Sequence, residues 1–212
     1  MKLSLIRSSL VAAALFGAGG VYAQQAPQAE GNWLVRARVV DIIPNKSSDA
    51  GLVAQDAVTL NNVVAPEVDI TYFFTKNIAT ELILTYPQQH DVNLAGTGKI
   101  GTVKHLPPTL TLQYHFLPEG QFRPYVGAGF NYTKFSDVNL NVTGVGPLFL
   151  DSSSTGGALQ AGMDIKLSSN LYLNFDVKKL WIGTDVKTAA GVKVTHLNLN
   201  PWLPGVGLGW RF

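Results

Sequence analysis

Apolar and polar residues take turns along most of this chain, and the period is two. Trp33, Val35, Ala37 and Val39 share one face of a first segment, with Arg36 and Arg38 on the other. Val68, Ile70, Tyr72 and Phe74 then alternate with Glu67, Asp69 and Thr71, and Leu82, Leu84 and Tyr86 with Glu81, Ile83 and Thr85. A fourth segment sets Leu110, Leu112, Tyr114 and Phe116 against Thr109, Thr111, Gln113 and His115. The second half repeats the scheme in four more segments. Val126 to Tyr132 oppose Tyr125, Gly127, Gly129 and Asn131, and Leu159 to Ile165 oppose Gln160, Gly162, Asp164 and Lys166. Leu171 to Val177 oppose Asn174, Asp176 and Lys178, and the last segment sets Trp202, Val206, Leu208, Trp210 and Phe212 against Gly205, Gly207, Gly209 and Arg211. Strict alternation marks strands with one apolar and one polar face.

The connections alternate as well. Thr75–Asn77, Leu117–Phe122 and Ser168–Asn170 are tight, whereas Pro44–Ala65, Gln88–Lys104, Ser136–Thr155 and Gly183–Leu199 are long and are expected to be loops. Sorting of short turns to one end and long loops to the other is the layout of an outer-membrane barrel. A sandwich has no reason to do it. The expected fold is therefore all-β, an eight-stranded antiparallel up-and-down transmembrane β-barrel. Closure removes the sheet edges whose backbone groups lipid cannot satisfy.

Cost decides which face is inside. A charge at the midplane of the lipid face costs roughly 2–4 kcal/mol, so the charged face must point to the axis. That places Arg36, Arg38, Lys166, Lys178 and Arg211 in the lumen with Glu67, Asp69, Glu81, Asp164 and Asp176, five cations against five carboxylates expected to pair. Ile83 and Leu203 are inward but apolar, candidates for a hydrophobic pocket or constriction. Trp33, Tyr72, Phe74, Tyr132, Trp181, Trp202 and Trp210 lie near strand ends and read as interfacial girdles. The inward glycines 127, 129, 162, 205, 207 and 209 admit two readings, a cavity along one wall or a device for tight curvature.

The first residues bear on the compartment. Lys2 and Arg7 precede an apolar stretch, Leu10 to Phe16, and Val21-Tyr22-Ala23 fits a small-x-small cleavage site. Residues 1–23 are expected to be a cleaved signal peptide, with the barrel domain over 24–212. The apolar run is far shorter than the roughly 20 residues of a membrane helix. Without the two leader cations, 14 basic residues face 14 acidic ones, which gives no support for nucleic-acid binding. The chain has no cysteine, so disulfides and thiolate metal sites are excluded, and His90, His105 and His115 lack metal-ligand spacing. No cofactor and no metal are expected.

The prolines suggest a mechanism. Pro87 ends the third segment and Pro107-Pro108 opens the fourth. Proline has no N–H to give to a ladder, so pairing of these neighbours must weaken near their outer ends. A lateral opening there is one reading, and plain strand termination is the other.

Thr102-Val-Lys-His-Leu-Pro-Pro-Thr-Leu110, Arg123-Pro-Tyr-Val-Gly-Ala-Gly-Phe-Asn-Tyr-Thr133, Asn77-Ile-Ala-Thr-Glu-Leu82 and the ending Gly209-Trp-Arg-Phe212 resemble the OmpW family of small outer-membrane barrels. The resemblance spans the mature chain, with Asn200-Pro201-Trp202 and Trp210 as departures from the family's usual Asp-Pro-Trp and Gly-Tyr-Arg-Phe. It implies a channel for uptake or efflux of small hydrophobic molecules, integral to the bacterial outer membrane. The implied partners are the lipid bilayer, a small hydrophobic solute, and periplasmic chaperones and barrel-assembly machinery acting on the strand that ends in Phe212. A structural or receptor barrel acting through its loops is the alternative. An outer-membrane enzyme is a third reading, resting on Asp151, Ser152 to Ser154 and His196, and is not favoured because a serine-rich loop is usually an exposed tip.

Overall fold

A computed structural model describes residues 30–45 and 47–212. The expected leader, residues 1–23, lies outside the described residues. In chain order the strands are β1 (Trp33–Ile42), β2 (Ser47–Ser48), β3 (Val58–Leu60), β4 (Val63–Phe73) and β5 (Ile78–Thr85). Then come β6 (Gln88–Leu94), β7 (Gly98–Leu106), β8 (Thr109–His115), β9 (Phe122–Val142) and β10 (Gly146–Leu150). The last are β11 (Ser153–Lys166), β12 (Leu171–Leu180), β13 (Gly183–Thr188), β14 (Lys193–Asn198) and β15 (Trp202–Arg211). No described helix is long and apolar enough to cross a membrane, a fact that says nothing about spanning by strands.

Eight of these strands close on themselves. β1 pairs β4, β4 pairs β5, β5 pairs β8 and β8 pairs β9; β9 pairs β11, β11 pairs β12, β12 pairs β15, and β15 returns to β1. Each pairing is antiparallel and each neighbour is the next wall strand in sequence, so the barrel is up-and-down. Alternation holds around the ring because successive Cβ atoms point to opposite faces. Val39, Leu84, Leu112, Phe130, Leu159, Phe175 and Leu208 all face out and stay exposed, while Arg36, Asp69, Glu81 and Asn174 are fully buried inside. Exposed apolar side chains around the whole wall are costly in water and favourable against acyl chains. Two aromatic belts bound this surface. Trp33, Tyr72, Phe74, Phe122, Trp210 and Phe212 lie at the lower end, where the turns are short, and Tyr86, Tyr132, Trp181 and Trp202 at the upper end.

The four long connections are not loops. They carry β2, β3, β6, β7, β10, β13, β14 and the upper third of β9, which pair in the order β3–β6–β7–β9–β10–β13–β14–β2. The wall thus continues above the girdle as a collar. Gly144 and Gly191 turn two of its hairpins at φ 85° and 78°, values that an L side chain resists. Val92, Ile100, Val103, Leu140, Val186, Val194 and Leu197 fill its interior, and burial of this apolar set explains why polar-looking connections fold as sheet.

An apolar chamber above an ionic plug

Charged side chains fill the lower lumen in two tiers. In the upper tier, register sets Arg36 beside Asp69 and Arg38 beside Glu67 on β1 and β4. Arg36 reaches Asp164 at 2.6 Å, Asp69 at 3.0 Å and Glu81 at 3.3 Å. Arg38 reaches Asp69 at 2.5 Å, Glu81 at 2.8 Å, Glu67 at 3.0 Å and Asp176 at 3.5 Å. Lys178 bridges Glu67 at 2.7 Å and Asp176 at 2.8 Å. Gln113 and Asn174 donate to Glu81 and Asp164 on adjacent strands, while Gln160 donates to Glu81 and Tyr125 to Asp176 on strands that are not their neighbours. A charge buried this deep persists only when paired and hydrogen-bonded on every side. Here that condition is met by residues from β1, β4, β5, β8, β9, β11 and β12 together.

Lys166 and Arg211 do not join that cluster. They sit one tier lower with Arg123, and all three converge on Glu30, with Arg211 at 3.1 Å and Arg123 at 2.5 Å. With Arg123 and Glu30 included the lumen holds six cations and six carboxylates rather than five of each, and they are not gathered in one place. Three cations meet five carboxylates above, and three cations meet one below, so only the two tiers together are neutral. Glu30 and Arg123 were missed by periodicity. Glu30 precedes the first strand, and Pro124 masks the alternation that runs from Arg123 to Tyr125.

The inward glycines leave no cavity. A Cβ on Gly207 would lie 2.7 Å from Arg38 Cγ, one on Gly205 2.7 Å from Val40 Cγ1, and one on Gly209 3.0 Å from Arg36 Cγ. One on Gly162 would meet the Tyr125 ring. Side chains of the plug crowd Gly127, Gly162, Gly207 and Gly209, backbone of β8 crowds Gly129, and Val40 crowds Gly205.

Above the plug the lining changes abruptly. Val40, Ile42, Ile83, Leu180 and Leu203 surround a cavity of about 10 Å³ whose floor is Glu67 and Lys178. The collar interior continues upward from there and holds a second, apolar space of about 60 Å³ among Val58, Val92, Ile100, Leu140, Leu148 and Val194. Ile83 and Leu203 are thus both in the lowest layer of an apolar chamber.

The three prolines stand at the side of this chamber. The β5–β8 ladder ends at the Ile83–Thr109 pair, and beyond it neither Thr85 nor Pro107 has a partner across the seam. Past the seam, Gln88 and Leu106 belong to the β6–β7 hairpin, which pairs to β9 rather than to β5. Thr85 and Pro107 line the inner cavity, while Tyr86, Pro87, Gln88 and Lys104 line a depression of about 540 Å³ on the outer wall.

The histidines also have definite places. His115 is stacked on Tyr125 within the plug, and His90 and His105 stack on each other in the collar with ring centroids 4.8 Å apart. Burial, with repulsion from His90 second, pushes the His105 imidazole down to about 3. His196 pairs with Asp185 at 2.6 Å, and Asp185 is lowered by hydrogen bonds from Lys193 and His196. Ser154 accepts from the Gly183 amide, and among the described residues no hydrogen bond joins a serine to His196.

The OmpW family model matches residues 29–212. Outer membrane protein W of Vibrio cholerae is 36% identical over 214 residues, covering 96% of this chain and 97% of that protein. The Dibenzothiophene metabolism operon protein PahQ of Pseudomonas aeruginosa is 28% identical over 152 residues, covering 68% of this chain and 69% of that protein. Among solved structures, the outer membrane protein OprG of Pseudomonas aeruginosa aligns with a TM-score of 0.76 and 26% identity, over 89% of this chain and 99% of that one. Closed ring, apolar outer wall, buried ion network and whole-length similarity agree, and the chain belongs to the OmpW family of outer-membrane proteins.

Proposed function

We propose that the protein passes small hydrophobic molecules from the cell exterior into the outer membrane, releasing them sideways between β5 and β8. A solute enters the collar, descends the apolar chamber to Ile83 and Leu203, and meets the ionic plug. Crossing the plug would separate eight buried ionised groups from their partners, a cost no small apolar solute can offset. The seam at Thr85–Pro87 and Leu106–Pro108 offers the other way out. No ladder pair lies between Ile83–Thr109 below and Gln88–His105 above, so the gap between them widens without breaking one. The observation that carries this reading is the juxtaposition of chamber floor, plug and unpaired seam at one level of the barrel. A relative named for a dibenzothiophene metabolism operon is in keeping with apolar cargo.

Purified protein in lipid vesicles tests the proposal. Pro107→Val and Pro108→Val together restore two amide donors on the β8 side of the seam. Transfer of a fluorescent apolar probe should slow several-fold, while the heat-dependent gel mobility of the folded barrel stays as in the parent. Undiminished transfer in a folded variant excludes the sideways exit. A native chain that does not speed transfer over protein-free vesicles leaves the structural or receptor barrel as the reading.

A further inference from the structure

We infer that the chamber wall beside the seam selects solutes that carry a hydroxyl group, alcohols or phenols rather than plain hydrocarbons. This inference rests on the passage proposed above and names its cargo more narrowly. Gln88, His90 and His105 share the inward face of the β6–β7 hairpin with Val92 and Val103, and all three are at most 2% exposed. Gln88 and His105 are direct cross-strand partners, and the His105 ring lies on the His90 ring. Each of the three has a buried polar atom with no hydrogen-bond partner: Gln88 Oε1, His90 Nε2 and His105 Nδ1. Buried polar atoms are nearly always paired, so three orphans in one apolar compartment call for a ligand.

The chemistry of that ligand follows from how the orphans are held. The Gln88 amide nitrogen donates to Thr85 Oγ1 at 3.0 Å and to the Tyr86 carbonyl at 2.6 Å. A carbonyl can only accept, so the amide cannot be flipped, and Oε1 is an acceptor. His90 Nδ1 lies 2.8 Å from the Asn61 carbonyl, so Nδ1 carries the proton and Nε2 presents a lone pair. Burial lowers both imidazoles, which favours the neutral ring at His90. His105 Nδ1 has no neighbour that sets its tautomer and is free to donate. The wall therefore shows two fixed acceptors and one adaptable group. A hydroxyl donates to an acceptor and accepts from His105 at once, a carbonyl uses only His105, and an alkane uses none. Gln88 also lines the outer depression with Tyr86 and Pro87, so its amide stands at the proposed exit, with His105 opposite it in the ladder.

The test compares 2-naphthol with 2-methylnaphthalene, two solutes of nearly one shape, in vesicles containing the full chain. The native protein should carry 2-naphthol with a half-saturating concentration about tenfold lower, the worth of one added hydrogen bond. Gln88→Leu with His90→Phe should abolish that preference while 2-methylnaphthalene still passes. Independently of any variant, 2-naphthol should shift the ¹⁵N resonance of His90 Nε2 in the native chain, and 2-methylnaphthalene should not. Equal half-saturation of the two solutes, a preference that survives the double substitution, or a silent His90 resonance each overturns the inference and leaves the passage standing. Transfer of neither solute above protein-free vesicles overturns the passage itself, and the inference with it.

Discussion

Arg36 reaches Asp164, Asp69 and Glu81 from the middle of the lumen, and its side chain is wholly buried. Replacing it with methionine keeps much of the volume and leaves three carboxylates with one neighbouring guanidinium fewer. Loss of one partner of a buried pair costs about 3–5 kcal/mol, and urea unfolding in vesicles, followed by gel mobility, should show a loss of that order for Arg36→Met. His105 responds to acid with a definite sign. Its folded value of about 3 lies below the ordinary 6.5, so the folded collar favours the neutral ring. The stabilisation is complete above about 6.5 and is lost as pH falls toward 3. His90, stacked on it, is lowered too, with Asp91 and the Asn61 carbonyl opposing that shift. Amide exchange in β6 and β7, corrected for its intrinsic pH dependence, should therefore speed up between pH 7 and pH 4.5. His105→Phe should flatten that response.

At the scale of elements, the eight wall strands were legible because each presents at least three alternating pairs, and a one-residue slip would turn every charge toward lipid. Ile83 and Leu203 were legible for the same reason, as apolar residues in inward register. The collar strands were not legible. They are short, and register shifts at Val92/Asn93, Thr102/Lys104 and Val186/Lys187 break the period of two within a few residues. The glycine stripe could not be resolved from sequence because a missing side chain signals space without saying what fills it. A Cβ placed on Gly207 would overlap the Ala37 carbonyl oxygen and lie 2.7 Å from Arg38 Cγ, so Gly207→Leu should block barrel assembly or lower the unfolding temperature markedly. Outward Val206→Leu, one residue away, should be tolerated. Both are read from thermal melts of the folded species.

The whole molecule divides into an apolar exterior between two aromatic belts, a charged lower lumen and an apolar upper lumen. Charge neutrality is a property of the two ionic tiers jointly, through Glu30 and Arg123, which no single strand reveals. On the proposed reading, apolar matter enters from above, is stopped by the plug below and leaves through the β5–β8 seam. The chain has no cysteine, so one pair can be introduced cleanly. Thr85→Cys and Pro107→Cys face the same small cavity on opposite sides of the seam. The deciding measurement is transfer of an apolar probe into the vesicle membrane before and after this pair is joined by a short bifunctional thiol reagent. Joining should halt transfer with the barrel still folded, and single-cysteine controls treated alike should stay active. Transfer that continues through the joined seam contradicts the account.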